Sequence, residues 1–111
     1  MTTTADERHP ATDELRLVKV LGALADPVRV AIVRTLAGLG ESPCVELRRA
    51  AELTIGQPTF SHHQRVLREA GVLRERVQGA QRIVSLRGED LDACFPGLLT
   101  AVLATHPDQV R

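Results

Sequence analysis

QPTFSHHQRVLREAG, residues 57–71, opens with small polar residues and a proline and closes on Ala-Gly. On a 3.6-residue wheel, Phe60, His63, Val66, Leu67 and Ala70 share one side. Ser61, His62, Arg65 and Glu69 share the other, with Arg68 beside them. Pro58 suits a first helical turn and Gly71 a helix end. The stretch predicts an amphipathic helix with a polar, arginine-flanked outer face.

Working upstream, PCVELRRAAEL predicts a short helix ending near Leu53, and Thr54-Ile55-Gly56 a brief turn after it. LADPVRVAIVRTLAGLG supplies a helix start, with Asp26 as N-cap and Pro27 at the first helical position. Val28, Ile32, Thr35, Leu36 and Leu39 form its stripe, and Gly38 and Gly40 end it. Further back, Leu15, Val18, Leu21 and Leu24 recur on one face, a helix over 13–24 that Thr12 or Asp13 would cap. Residues 1–12 read as a flexible tail.

Downstream, 72–77 and 81–87 are β-favouring runs flanking Gln78-Gly79-Ala80, a hairpin. The apolar residues Leu91, Leu98, Leu99, Val102 and Leu103 make a last helix over 91–105, which Pro96-Gly97 breaks or restarts. The expected fold is mainly α with a small β-hairpin, in the order α-α-α-α-β-β-α: a winged helix-turn-helix. The domain is expected over 13–106, with 107–111 a C-terminal tail. A turn between a short helix and a polar-faced one is the helix-turn-helix arrangement, and the hairpin adds the wing. The terminal helices, 13–24 and 91–105, have no evident partner inside the domain, so pairing across a two-fold axis predicts a homodimer.

The 111 residues fit one small domain, and with Phe60 and Phe95 the only aromatics its core is aliphatic. No apolar run approaches the ~20 residues of a membrane span. The N-terminus MTTTADERHP lacks a signal-peptide pattern, so the expected location is cytoplasmic. Net charge is zero but unevenly placed. Residues 1–14 carry −3, residues 57–87 carry +4 and residues 88–111 carry −3. A basic segment of this kind predicts an anionic partner.

A recognition helix presents the side chains of its N-terminal part to base edges in the DNA major groove. Gln57, Thr59, Ser61 and His62 are short or planar hydrogen-bonding groups suited to that use. Arg65 and Arg68 follow where they would reach phosphates, which set register and supply salt-dependent affinity. The arginines at 74, 76, 82 and 87 extend the basic surface onto the hairpin. For His62, base contact and plain solvent exposure both stand; His63 lies on the inner face as a core or hydrogen-bonded histidine. Adjacent helical residues point ~100° apart, so the two cannot chelate one metal together. Ser61 and His62 are no catalytic pair, since neither a nucleophile elbow nor an orienting third group is present. A phosphate loop and a paired-Cys zinc motif are missing as well, so an enzyme is not expected.

LADPVRVAIVRTLA (24–37) and QPTFSHHQRVLREAGVL (57–73) resemble the ArsR/SmtB family of bacterial winged-helix repressors. The resemblance covers roughly residues 15–90. It implies a homodimer on a near-palindromic promoter site, with an inducer altering affinity for double-stranded DNA. Carried over, the reading positions fall on Gln57, Thr59, Ser61 and His62, and the wing on Arg76, Gln78, Gln81 and Arg82.

The family's sensor motifs do not transfer. Where a Cys-x-Cys pair would precede an acidic-Leu pair, this chain reads SPCVEL, with Cys44 alone. The last-helix metal set keeps only His106. Three options stand. Cys44 and Cys94 could approach each other as a redox pair, or be two small buried residues. His9, Asp90, Asp92 and His106 could gather at the dimer ends around nickel or zinc, or be exposed tail residues. Or the chain senses nothing itself and answers to a co-regulator protein. The competing class is an adaptor whose basic face binds an acidic protein rather than DNA.

Overall fold

Asp26 starts the second helix by side-chain capping. Its Oδ1 accepts from the backbone N–H groups of Val28 at 2.8 Å and Arg29 at 3.2 Å, and Pro27 takes the position where a missing N–H costs nothing. The structure is a computed structural model that describes residues 9–51 and 56–104.

Its elements are α1 (Leu17–Leu24), α2 (Pro27–Leu39), β1 (Ser42–Pro43), α3 (Cys44–Ala50), α4 (Gln57–Ala70), β2 (Leu73–Gln78), β3 (Gln81–Leu86), α5 (Gly88–Cys94) and α6 (Leu98–Ala104). The fold is a mainly helical winged helix-turn-helix. Its wing belongs to a three-stranded antiparallel sheet in the order β1-β3-β2. Leu73 pairs with Leu86 and Gln78 with Gln81, leaving Gly79-Ala80 as the turn; Gly79, at φ 62°, takes the left-handed conformation a tight turn requires. The core is aliphatic around one ring. Val20, Ile32, Val33, Leu36, Leu47, Phe60, Leu67, Val72, Leu73, Val84 and Leu91 are essentially inaccessible.

Three expectations need correction. The helix expected over 13–24 is two pieces, a 3-10 turn at Thr12–Glu14 and α1. Leu15 lies extended between them, because it turns inward and is buried. Residues 9–12, expected as tail, are pinned. His9 Nε2 accepts from the Glu75 N–H at 2.9 Å, and the Pro10 carbonyl accepts from Arg87 at 2.7 Å. A third strand, β1, was not foreseen, since two residues carry no periodicity; it pairs Ser42 with Val84 and Pro43 with Ile83. The last helix is broken into α5 and α6 around Pro96-Gly97, as the sequence allowed. The expected end of the short helix near Leu53 lies outside the described residues, as do 1–8 and 105–111.

α4 ends in a left-handed glycine. Gly71 has φ 91°, its N–H donates to the Arg68 carbonyl, and the Val72 N–H reaches back to that of Leu67. A Cβ there would also collide with the Leu15 side chain. This close approach seats α4 against the segment leading into α1.

Candidate nucleic-acid interface

α3, α4 and the β2–β3 wing enclose an open cleft of about 790 Å³. Its walls carry Gln57, Ser61, His62 and Arg65 from α4 and Gln81 and Arg82 from the wing. The wheel assignment explains the α4 wall. Phe60, Leu67 and Ala70 are buried, which turns Gln57, Thr59, Ser61, His62 and Arg65 to solvent. Gln78, Gln81 and Arg82 are exposed and Arg76 half-buried. The cleft therefore gathers Gln57, Ser61, His62, Arg65, Arg68, Gln81 and Arg82 of the sequence-derived set, and Thr59, Arg76 and Gln78 do not line it.

Arg68 lines the cleft but is not a free cation. It was expected at a phosphate, but it is 7% exposed and turned inward. Its Nη1 lies 3.4 Å from Glu75 Oε1, so its charge is held by the protein's own carboxylate. One step around the wheel from Leu67 places it beside Glu75 of β2, which lines the same cleft.

His63 is half-buried, as its face implied. Arg29 Nη1 donates to His63 Nδ1 at 3.1 Å, while Arg29 Nε donates to the Ala23 carbonyl at 2.6 Å. One guanidinium thus ties the end of α1 and the start of α2 to the inner face of α4.

The hairpin arginines, expected to extend the basic surface, are all paired within the chain. Arg76 meets Glu41 at 2.8 Å, Arg82 meets Glu75 at 3.3 Å, Arg74 meets Asp90 at 3.7 Å and Arg87 meets Asp90 at 2.9 Å. Arg87 is buried, which removes it from any surface role. Glu41 is held below the usual carboxylate range by the hydrogen bond from Arg76, which outweighs its slight desolvation. Asp90 is likewise held low, first by the Thr12 hydroxyl and then by Arg87.

Sequence reasoning missed Gln64, Glu75 and Glu41. Gln64 sits between Phe60 and Leu67 on the wheel, and Glu75 alternates with Leu73 along β2; both positions pointed inward. Gln64 and Glu75 are buried at 4% and 2%, joined by a bond from Gln64 Nε2 to Glu75 Oε2 at 2.7 Å.

Within one chain, the described members of the proposed metal set form no cluster. His9 spends the lone pair of Nε2 on the backbone of Glu75. Asp90 is engaged by Thr12 and two arginines, whose charge opposes a cation. Asp92 is exposed, and His106 lies outside the described residues. Among the described residues, no group of three or more His, Cys, Asp or Glu side chains could hold a metal. Both cysteines are free and half-buried, and they serve different partners. The Cys44 thiol donates to Gln64 Oε1 at 3.1 Å, and the Cys94 thiol to the Thr12 carbonyl at 3.3 Å. Burial pushes the Cys44 thiol up, and the nearby Glu75 carboxylate adds to this against the opposing Gln64 hydrogen bond.

Fold and cleft together define a winged helix-turn-helix protein with a polar, basic reading face. A helix-turn-helix domain family matches residues 24–76, from the end of α1 through most of β2. The uncharacterised HTH-type transcriptional regulator YceK of Bacillus subtilis is 36% identical over 88 residues, spanning 78% of this chain and 85% of that one. The uncharacterised HTH-type transcriptional regulator MJ1325 of Methanocaldococcus jannaschii is 38% identical over 64 residues, spanning 58% of this chain and 70% of the relative. A crystal structure of an ArsR family transcriptional regulator superposes with a TM-score of 0.62 at 25% identity, covering 90% of this chain and 92% of that one. The chain belongs to the HTH-type transcriptional regulators, and its fold is similar to that of an ArsR family member. It is a regulator and not an enzyme. No helix among the described residues is long and apolar enough to cross a membrane.

Proposed function

We propose that the chain acts as a homodimer on a near-palindromic promoter site, with α4 in the major groove and the wing along the adjacent backbone. The observation that carries this reading is the shared exposure of Gln57, Thr59, Ser61, His62 and Arg65 on the outer face of α4, opposite its buried side. Ser61 and His62 supply base-edge hydrogen bonds, and Arg65 and Arg82 supply phosphate contacts. Leu17, Val18 and Leu21 of α1 are exposed at 45%, 80% and 44%. An apolar stripe on a terminal helix favours a second copy as its cover.

The engagement of His9 and Asp90 within the chain weighs against a metal at the set His9, Asp90, Asp92 and His106 as the inducer site. A co-regulator protein fits better than a thiol reagent at Cys44, because burial pushes that thiol up. The deciding experiment is a salt titration of binding to the chain's own upstream region against random duplex. Operator binding weakens steeply with salt and retains a preference for one site. Equal weak binding to both duplexes, with tight capture of an acidic protein, favours the adaptor reading instead.

A further inference from the structure

Glu75 sits where the two elements of the reading face meet. Its side chain is 3% exposed, yet it lines the cleft with Ser61, Arg65 and Arg82. Oε2 accepts from Gln64 at 2.7 Å. Oε1 lies 3.4 Å from Arg68 and 3.3 Å from Arg82. The three partners differ in freedom. Gln64 and Arg68 belong to α4 and are buried at 4% and 7%. Arg82 belongs to β3, and its side chain is 56% exposed. One carboxylate therefore has two fixed partners and one that is able to leave.

Departure of Arg82 does not orphan the buried charge, because Gln64 and Arg68 stay in place. A phosphate oxygen at the mouth of the cleft would offer Arg82 a second anion in exchange for the first. The exchange is close to balanced for a duplex seated deeply enough to bring that oxygen within reach. For a duplex held away by a poor base match, Arg82 stays on Glu75 and contributes no attraction.

We propose that Glu75 is a positioning residue that fixes the wing against α4 and latches Arg82, releasing it only to a phosphate of a fully seated duplex. This rests on the DNA-binding reading above. Glu75 thus lowers affinity for all duplexes and raises discrimination between them.

The test compares wild type, Glu75→Gln, Arg82→Ala and the double variant. Two probes are used, a duplex selected by the wild type from a randomised pool and a random duplex of equal length. Glu75→Gln is expected to tighten random-duplex binding about two- to fivefold, the span of one exposed ion pair. The selected duplex gains less, so the ratio of the two affinities falls. With Arg82→Ala in the background, Glu75→Gln changes neither affinity. An unchanged ratio in Glu75→Gln, or a gain that persists without Arg82, overturns the assignment. A wild type that discriminates while Glu75→Gln changes nothing overturns the latch alone; a wild type that binds neither duplex overturns the DNA-binding reading and the latch with it. Should Glu75→Gln unfold, side-chain NMR of the Arg82 guanidinium decides in the wild type. Its signal should shift as the selected duplex is added, and a signal that stays put rejects the proposal.

Discussion

Arg29 of α2 and His63 of α4 are joined by a hydrogen bond of 3.1 Å from Nη1 to Nδ1. Two residues far apart in sequence thus fix α2 to the inner side of α4. The arginine donates, so the ring nitrogen facing it must accept.

That relationship gives a graded prediction. His63→Ala should cost about 1 kcal/mol or more, since Arg29 loses an acceptor in a half-buried site. His63→Asn, which returns an oxygen acceptor, should lie closer to wild type. Urea unfolding of the three proteins measures the order, and equal losses in both variants would reject the role given to Nδ1.

Asp26 offers a pH-dependent case. Burial alone would raise its carboxyl, but the N–H groups of Arg29 and Val28, with the Arg29 charge, outweigh this and hold it below 3.8. A carboxyl lowered by folding contributes stability above its unfolded pKa and loses it as pH falls through the folded value. Asp26→Ala should therefore cost about 1 kcal/mol near neutrality. The gap from wild type should close as the pH drops below the ordinary Asp range. Thermal melts from neutral to acid pH check this.

At Gly71 the backbone holds φ 91° beneath Leu15. Gly71→Ala combines a left-handed Cβ with that collision, and about 1–3 kcal/mol of stability should be lost. A calorimetric Tm within error of wild type would contradict the packing described.

The reading face separates residues that look alike in sequence. Ser61→Ala or His62→Ala should reduce discrimination between duplexes by about 1–3 kcal/mol where either makes a base contact. Arg65→Ala should weaken all duplexes alike and reduce the salt slope by about one. Arg68→Ala should leave that slope unchanged and instead destabilise the fold by about 1–3 kcal/mol, because it strips a partner from a buried carboxylate. Fluorescence anisotropy at several salt concentrations, beside chemical denaturation, distinguishes the three patterns.

Cys44 should alkylate more slowly near neutral pH than an unhindered thiol, because burial and Glu75 disfavour the thiolate. A mass-spectrometric time course with iodoacetamide gives the rate. Alkylation as fast as that of a small-molecule thiol would restore Cys44 as a reactive sensor.

Sequence alone determined the parts of this protein that depend on neighbours in the chain. Asp26-Pro27 starts α2, the spacing of Phe60, Leu67 and Ala70 sets the inner face of α4, and Gly71 stops it; caps, turns and periodicity act over a few residues, so they are written locally. The outward set from Gln57 to Arg65 follows from the same periodicity. Tertiary structure alone decided which charges meet. Arg68 turns to Glu75, Arg87 to Asp90 and Pro10, and His9 to the backbone of β2. It also decided that Ser42–Pro43 joins the sheet. Long charged side chains and two-residue strands have no strong local preference, so their partners are chosen by whichever elements the core brings alongside them.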